Sequence, residues 1–432
     1  MKLIQLIILS IVVVCIGNAQ QTPADAQSRA VAIVGGTAHL GNGTVIQNSL
    51  ITFENGILQS VSEYDKTKEL SKMEVIDAKN QHIYPGFIVP NSTLGLIEID
   101  AVRATDDDEE LGTWNPHIRS LIAYNAESRV VESMRPNGVL IAQITPRGGR
   151  ISGTSSIVQL DAWNWEDAVL KTDDGIHLNW PNTFSRGRWW LGEDPGLKSN
   201  PKYKNQTGQI EAYFNSAKAN INSLKANLNM PFNAMHGLFD QSKTLFIHVN
   251  DEKGIVDAVE FSKSQALSKV VIVGGYEAYK LANYLKDNKI PVLLRRVHSR
   301  PNHDDHDYDL TFKMAHILVK AGVTVGLETS GDMERMNSRN LPFYAGTTVA
   351  HGLSKESALQ LITLNTAKIL GIDTQYGSLE VGKSATLFIS RGDALDMRTN
   401  NLTNAFIDGR KISLESHQTQ LWKRYSKKYE NN

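Results

Sequence analysis

The segment VHSRPNHDDHDYD, Val297 to Asp309, gathers His298, His303 and His306 with Asp304, Asp305 and Asp307. Imidazole nitrogens and carboxylate oxygens are the donors that hold divalent ions where thiolate is absent. The same residues, with Pro301 and Asn302, also suit a solvated turn leading into a helix from Tyr308 to Lys320, and both readings stand at this point. Other chemistry is scarce. No two of the twelve histidines stand two apart, so the chain has no His-x-His pair. GGRISG (Gly148 to Gly153) opens no helix of the dinucleotide-binding pattern. Thr154 to Ser156 lack the G-x-S-x-G elbow that exposes a nucleophilic serine.

The cysteine content narrows the choice further. Cys15 is the single cysteine of the 432 residues. It falls in the opening run MKLIQLIILSIVVVCIGNAQ, which reads as a secretory signal: Lys2, then an apolar stretch from Leu3 to Ile16, then Gly17-Asn18-Ala19 as a small-x-small cleavage site. A chain cut after Ala19 is exported, periplasmic or secreted. It keeps no thiol, no disulfide and no membrane span. A net charge of −1 gives nucleic acid no electrostatic purchase.

The elements that must position any site fall into two textures. Both ends carry short strands separated by turns, with Asn55-Gly56 and Asp408-Gly409 as hairpin signals. Between them lie short, nearly continuous apolar runs that suit strands buried on both faces: GFIVPN, GVLIAQITP, SSIVQLD, GIHLNW, TLFIHVN, KVVIVGG, IPVLLR and VTVGLE. Several are followed by helical periodicity, as in GIVDAVEFSKSQA and EAYKLANYLKDN. This alternation predicts a parallel (β/α)₈ barrel with a small β domain built from both chain ends. The expected bounds are 1–19 signal, 29–84 first part of the β domain, 85–375 barrel, 376–415 second part and 416–432 tail. Residues 147–209 hold five of the seven tryptophans and read as an extension over one barrel end. Their rings either pack that extension down or face a pocket or partner.

Three ordered stretches carry a resemblance. VIDAKNQHIYPGFIVPNSTLG, VIVGGYEAYKLANYL and RNLPFYAGTTVAHGLSKESALQLITLNTAKILGI, the last continued by YGSLEVGKSATLFI, resemble the amidohydrolase superfamily, closest to its imidazolonepropionase-like branch. The resemblance implies hydrolysis of non-peptide C–N bonds in small cyclic or linear amides. It also implies a divalent metal such as zinc, held by His-x-His on the first strand, often a lysine on the fourth, histidines on the fifth and sixth, and an aspartate on the eighth. Such an ion lowers the pKa of bound water from about 15.7 to about 7.

Laid over that pattern, Asn91 and Thr93 take the two histidine positions, Val89 the neighbouring aspartate, and Gly274 the sixth-strand ligand. His248 matches the fifth-strand ligand, and Lys171 is the nearest lysine to the fourth. Glu328 or Asp332 falls at the eighth-strand carboxylate. Amide and hydroxyl are weak ligands for a transition metal, and a catalytic site needs three good ones plus water. The expectation is therefore a hydrolase with a degenerate metal site: His248 as remaining ligand, Glu328 and Asp332 as catalytic acids, and Asn91, Thr93 and His298 as substrate-binding groups. The alternative is an inactive relative that binds a small molecule, or pairs with a paralogous amidohydrolase subunit or with its own copy.

Overall fold

A computed structural model describes residues 22–221 and 229–430. The expected signal segment, 1–19, and Cys15 lie outside the described residues. No described helix is long and apolar enough to cross a membrane.

All eight apolar runs become strands of one sheet: β1 (Phe87–Ser92), β2 (Val139–Ile144), β3 (Ile151–Gln159), β4 (Val169–Asn179), β5 (Thr244–Val249), β6 (Val270–Gly274), β7 (Val292–Leu294) and β8 (Val325–Leu327). They pair in chain order and curl into a barrel. Helices such as Glu252–Ser264, Leu310–Ala321 and Leu341–Ala350 lie between or after the later strands.

Two features depart from the expected parallel barrel. First, β3 runs antiparallel to both β2 and β4. Only Thr145 to Arg150 join β2 to β3, and a parallel crossover needs a dozen or more residues, so the chain can only turn back. Gly148 and Gly149, at φ +78° and +57°, make that turn. Second, β1 and β8 share no ladder. The segment Leu361–Ile362 stands between them, with Ile88 N donating to Ile362 O at 2.9 Å and Leu327 N to Leu361 O at 3.2 Å.

Inside the barrel the period-two alternation of each strand stacks apolar below polar. Ile88, Ile141, Ile157, Phe246, Val271 and Leu293 form one buried cluster with Ala367, Ile369 and Leu370, which close the floor. Two residues further towards the mouth stand Gln143, Ser155 and His248, above Ile141, Ile157 and Phe246.

The chain ends build two facing sheets. Val31–Val34, Ser49–Glu54, Ile57–Glu63 and Glu74–Asp77 form one. Thr37–His39, Val45–Ile46, His82–Pro85, Leu387–Ser390, Leu402–Ile407 and Arg410–Lys411 form the other. Ile33, Ile51, Phe53 and Leu58 pack against Ile83, Leu387 and Phe406 between them. Asn55-Gly56 and Asp408-Gly409 are both hairpin turns with positive φ, and they touch: a Cβ on Gly409 would lie 2.9 Å from Gly56 Cα.

Of the stretch 147–209, residues 151–159 and 169–179 belong to the barrel wall. What projects is a hairpin, Phe184–Arg186 with Leu197–Ser199. Trp180 packs inward, its Nε1 donating to Tyr203 Oη at 3.0 Å. Trp189 and Trp190 are 71% and 66% exposed, so these two rings do not pack the extension down.

Asp161, just past β3, ties barrel to β domain. It is buried and accepts from Arg135 at 2.5 Å, from Arg410 at 3.0 Å and from Ala24 N at 2.9 Å. Removing one partner of a buried ion pair leaves the other charge uncompensated. Asp161→Ala removes the carboxylate that two guanidinium groups share and is expected to lower unfolding free energy by about 3–5 kcal/mol. Urea unfolding of the two proteins checks this, and a loss under about 1 kcal/mol would show that Asp161 is not the tie described.

Candidate functional site

The mouth of the barrel is set by an irregularity in β1. Pairing with β2 shifts between Val89 and Ser92, and Asn91 takes φ +52°, a conformation Asn tolerates better than most residues. Its amide thereby spans the mouth. Asn91 Nδ2 donates to Glu328 Oε2 at 3.0 Å, and Asn91 N donates to Gln143 Oε1 at 3.0 Å. Thr93 donates through both N (2.9 Å) and Oγ1 (2.8 Å) to Glu334 Oε2.

The short β2–β3 turn carries Arg147 over these groups. Its guanidinium donates to Asn91 Oδ1 at 3.1 Å and Asn91 O at 2.8 Å, and lies 3.9 Å from Glu334 Oε2. Asn91, Thr93, Arg147, His248, Ser330 and Glu334 line a cavity of about 360 Å³.

From the cavity wall a chain of polar groups, half-buried at His248 and buried beyond it, crosses the barrel. His248 Nε2 meets His177 Nδ1 at 2.9 Å, and His177 Nε2 meets Ser155 Oγ at 2.9 Å. Ser155 donates to Asp174 Oδ1 at 2.7 Å, and Gln143 Nε2 donates to Asp174 Oδ2 at 2.8 Å. One set of protons satisfies every contact with Asp174 ionised. His177 then carries its proton on Nε2 and accepts at Nδ1 from His248 Nε2–H, which leaves the lone pair of His248 on Nδ1.

Burial governs the charges. It pushes Glu328 up to about 7, although Ser330, Asn91 and Arg147 pull the other way. Burial, with Arg147 adding repulsion, pushes His248 down to about 3. His177 falls well below the usual imidazole range from burial first, then from His248 and Arg147. Burial raises Asp174. Near neutrality the mouth thus holds neutral imidazoles and a carboxyl group poised to gain or lose a proton.

These residues do not fit the family's metal. Asn91 and Thr93 offer only neutral oxygens, both already bonded. Gly274 lies at φ +92°, and a Cβ there would stand 2.7 Å from Asn250 Oδ1, so the amide of Asn250 fills the room a ligand would need. Arg147 places a fixed cation on the first-strand position. At ~4 Å and an effective dielectric near 20, each like unit-charge pair costs about 4 kcal/mol, and a dication doubles it.

The other expected residues separate. Asp332 is exposed, and its backbone oxygen, rather than its carboxylate, accepts from Arg296 and Asn337. Glu334, two residues on, takes the place at the mouth. His298 bonds Thr347 at 2.6 Å and does not line this cavity. Lys171 donates to Leu370 O at 2.8 Å on the floor side. Sequence reasoning missed Arg147, His177, Ser155, Asp174 and Glu334. His177 was findable, since it alternates with Gly175 and Asn179 in GIHLNW.

The sequence profile described as Amidohydrolase family matches residues 277–412. A 5'-deoxyadenosine deaminase of Methanobrevibacter smithii is 23% identical over 367 residues, 80% of each chain. An amidohydrolase from Thermotoga maritima superposes with a TM-score of 0.76 at 22% identity, covering 89% of this chain and 99% of that one. Molinate hydrolase superposes at 0.53 with 15% identity, over 90% and 95% of the two chains.

The raised Glu328 pKa has a stability consequence. A carboxyl whose folded pKa exceeds its unfolded value of about 4.5 stabilises the fold fully below pH 4.5, and that contribution fades as pH rises through about 7. Glu328→Gln removes the dependence. Between pH 4.5 and 7.5 the wild type is expected to lose on the order of 3 kcal/mol relative to the variant. Parallel pH–stability curves for the two proteins would contradict the shift.

Proposed function

We propose, from the premise that this chain belongs to the amidohydrolase superfamily of hydrolases, that the barrel-mouth cavity hydrolyses a C–N bond of a small non-peptide molecule with Arg147 standing where the family places metal. One observation carries the reading: Arg147 and Glu328 meet through the single side chain of Asn91, at 3.1 and 3.0 Å. Ionised Glu328 takes a proton from water as the water oxygen bonds to the substrate's electrophilic carbon. Negative charge developing on the substrate falls beside the guanidinium, which is the preorganised electrostatic help that such steps need. The C–N bond then breaks, and the nitrogen leaves with the proton held by Glu328. A relative named as a 5'-deoxyadenosine deaminase and a fold neighbour named as molinate hydrolase support a small organic substrate.

A second reading rests on a different observation. Glu328 is only 1% exposed; Asn91 Nδ2 and Ser330 N donate to its Oε2, and the Ser330 hydroxyl donates to its Oε1. A carboxyl held so firmly serves a rigid binding pocket as well as it serves proton transfer. On that reading the chain recognises the same class of molecule without turning it over.

A panel of small cyclic and linear amides and aminopurine nucleosides, assayed for turnover and for thermal shift, separates the two. Hydrolysis predicts kcat/KM that rises with pH through about 7, as Glu328 ionises, and falls roughly 10²–10⁴-fold in Glu328→Gln. A compound that raises Tm with no turnover at any pH leaves the binding reading.

A further inference from the structure

A second group of donors stands outside the mouth cavity, on the loops that follow β6 and β7. Glu277, His303 and His306 bring one carboxylate oxygen and two imidazole nitrogens within 4.8 Å of one another. We propose that these three side chains bind one divalent transition-metal ion of the zinc class, with a fourth coordination position open to the neighbouring cavity. Two imidazoles and a carboxylate are a sufficient set for zinc without thiolate, and three protein ligands leave one position for water or a ligand oxygen. Ligand atoms around a tetrahedral ion with bonds of ~2.0–2.1 Å lie about 3.4 Å apart, so the trio needs only a small contraction of the His303–His306 loop.

The surroundings hold the donors in place. Glu277 is anchored through its own N, which donates to Asn250 O at 2.8 Å, and Glu277 Oε2 accepts from Glu252 N at 2.7 Å. His306 Nδ1 lies 2.8 Å from the hydroxyl of buried Tyr276, which also accepts from Asn302 N at 2.8 Å. With the Nδ1 proton donated to that phenol, Nε2 keeps its lone pair for an ion, which is the outer support that metal-binding histidines commonly have. The His303 ring stands edge-on to His306 at 4.7 Å and has no hydrogen-bond partner among the described residues. One group competes. Lys280 Nζ bonds Glu277 Oε1 at 2.7 Å, but a pair this close to the surface is weak beside two imidazole–metal bonds.

The adjoining cavity gives the open position a use. It measures about 800 Å³ and is lined by Phe184, Leu197 and Val256 as well as Asn250, Glu277 and His303. An organic ligand with an oxygen donor at one end and an apolar body fits that lining. None of the three proposed ligands lines the barrel-mouth cavity, so the proposal stands whether or not the mouth catalyses anything.

Zinc titration of the tag-free full chain, by competition with a chromophoric chelator and by elemental analysis after desalting, tests this. The expected result is one equivalent bound at micromolar Kd or tighter. His303→Ala and His306→Ala, each checked for an unchanged circular dichroism spectrum, are expected to raise Kd roughly 100-fold. His248→Ala and His298→Ala should leave it unchanged. Substoichiometric zinc in the wild type, zinc retained by both loop variants, or zinc lost with His248→Ala would each overturn the assignment.

Discussion

The guanidinium of Arg147, bonded twice to Asn91 at the mouth of the barrel, adds its charge to the burial that governs the groups beneath it. It repels protons from His248 and His177 and works against the burial that raises Glu328. The same charge makes the position hostile to a metal ion. Its placement follows from covalent geometry. Because only six residues join β2 to β3, the third strand has to run backwards, and the tight turn that reverses it delivers Arg147 to the mouth. Topology and chemistry at this site have one cause.

The polar chain from His248 to Asp174 belongs to the same arrangement. His177, Ser155 and Asp174 are buried and His248 half-buried, and an unpaired polar group there would be costly, so the groups satisfy one another in sequence. Phe246 stacks on His177 with ring centroids 4.7 Å apart and seals the chain from the apolar floor. The geometry of the mouth is held by hydrogen bonds.

Much of the scaffold was legible in the residues. All eight wall strands read as apolar runs, and Asn55-Gly56 and Asp408-Gly409 announced their turns. Strand direction was harder, because a continuous apolar run has no polarity of its own; the clue lay in the short linker Thr145 to Arg150. The site was partly legible. Glu328 follows β8 and stands at the mouth, bonded to Asn91, a contact that only the folded chain shows. Asp332 did not join it, because Met333, at φ +55°, turns the chain so that Glu334 rather than Asp332 faces inward. Arg147 sits in a glycine turn with no motif around it, and only the folded chain shows which groups it meets.

The two-ended β domain bears on how the molecule is made. Its second sheet joins His82–Pro85 directly to Leu387–Ser390, and its two hairpin turns lock against each other. His82–Pro85 therefore leaves the ribosome long before Leu387–Ser390 exists. About 300 residues separate the two, which at ~5–20 residues per second is roughly 15–60 s of translation. During that interval the first sheet can close its own ladders, but Ile33, Ile51, Phe53 and Leu58 lack Leu387 and Phe406 to cover their apolar face. An apolar sheet face left uncovered for that long is a surface on which a neighbouring chain can dock before the barrel's return strands arrive.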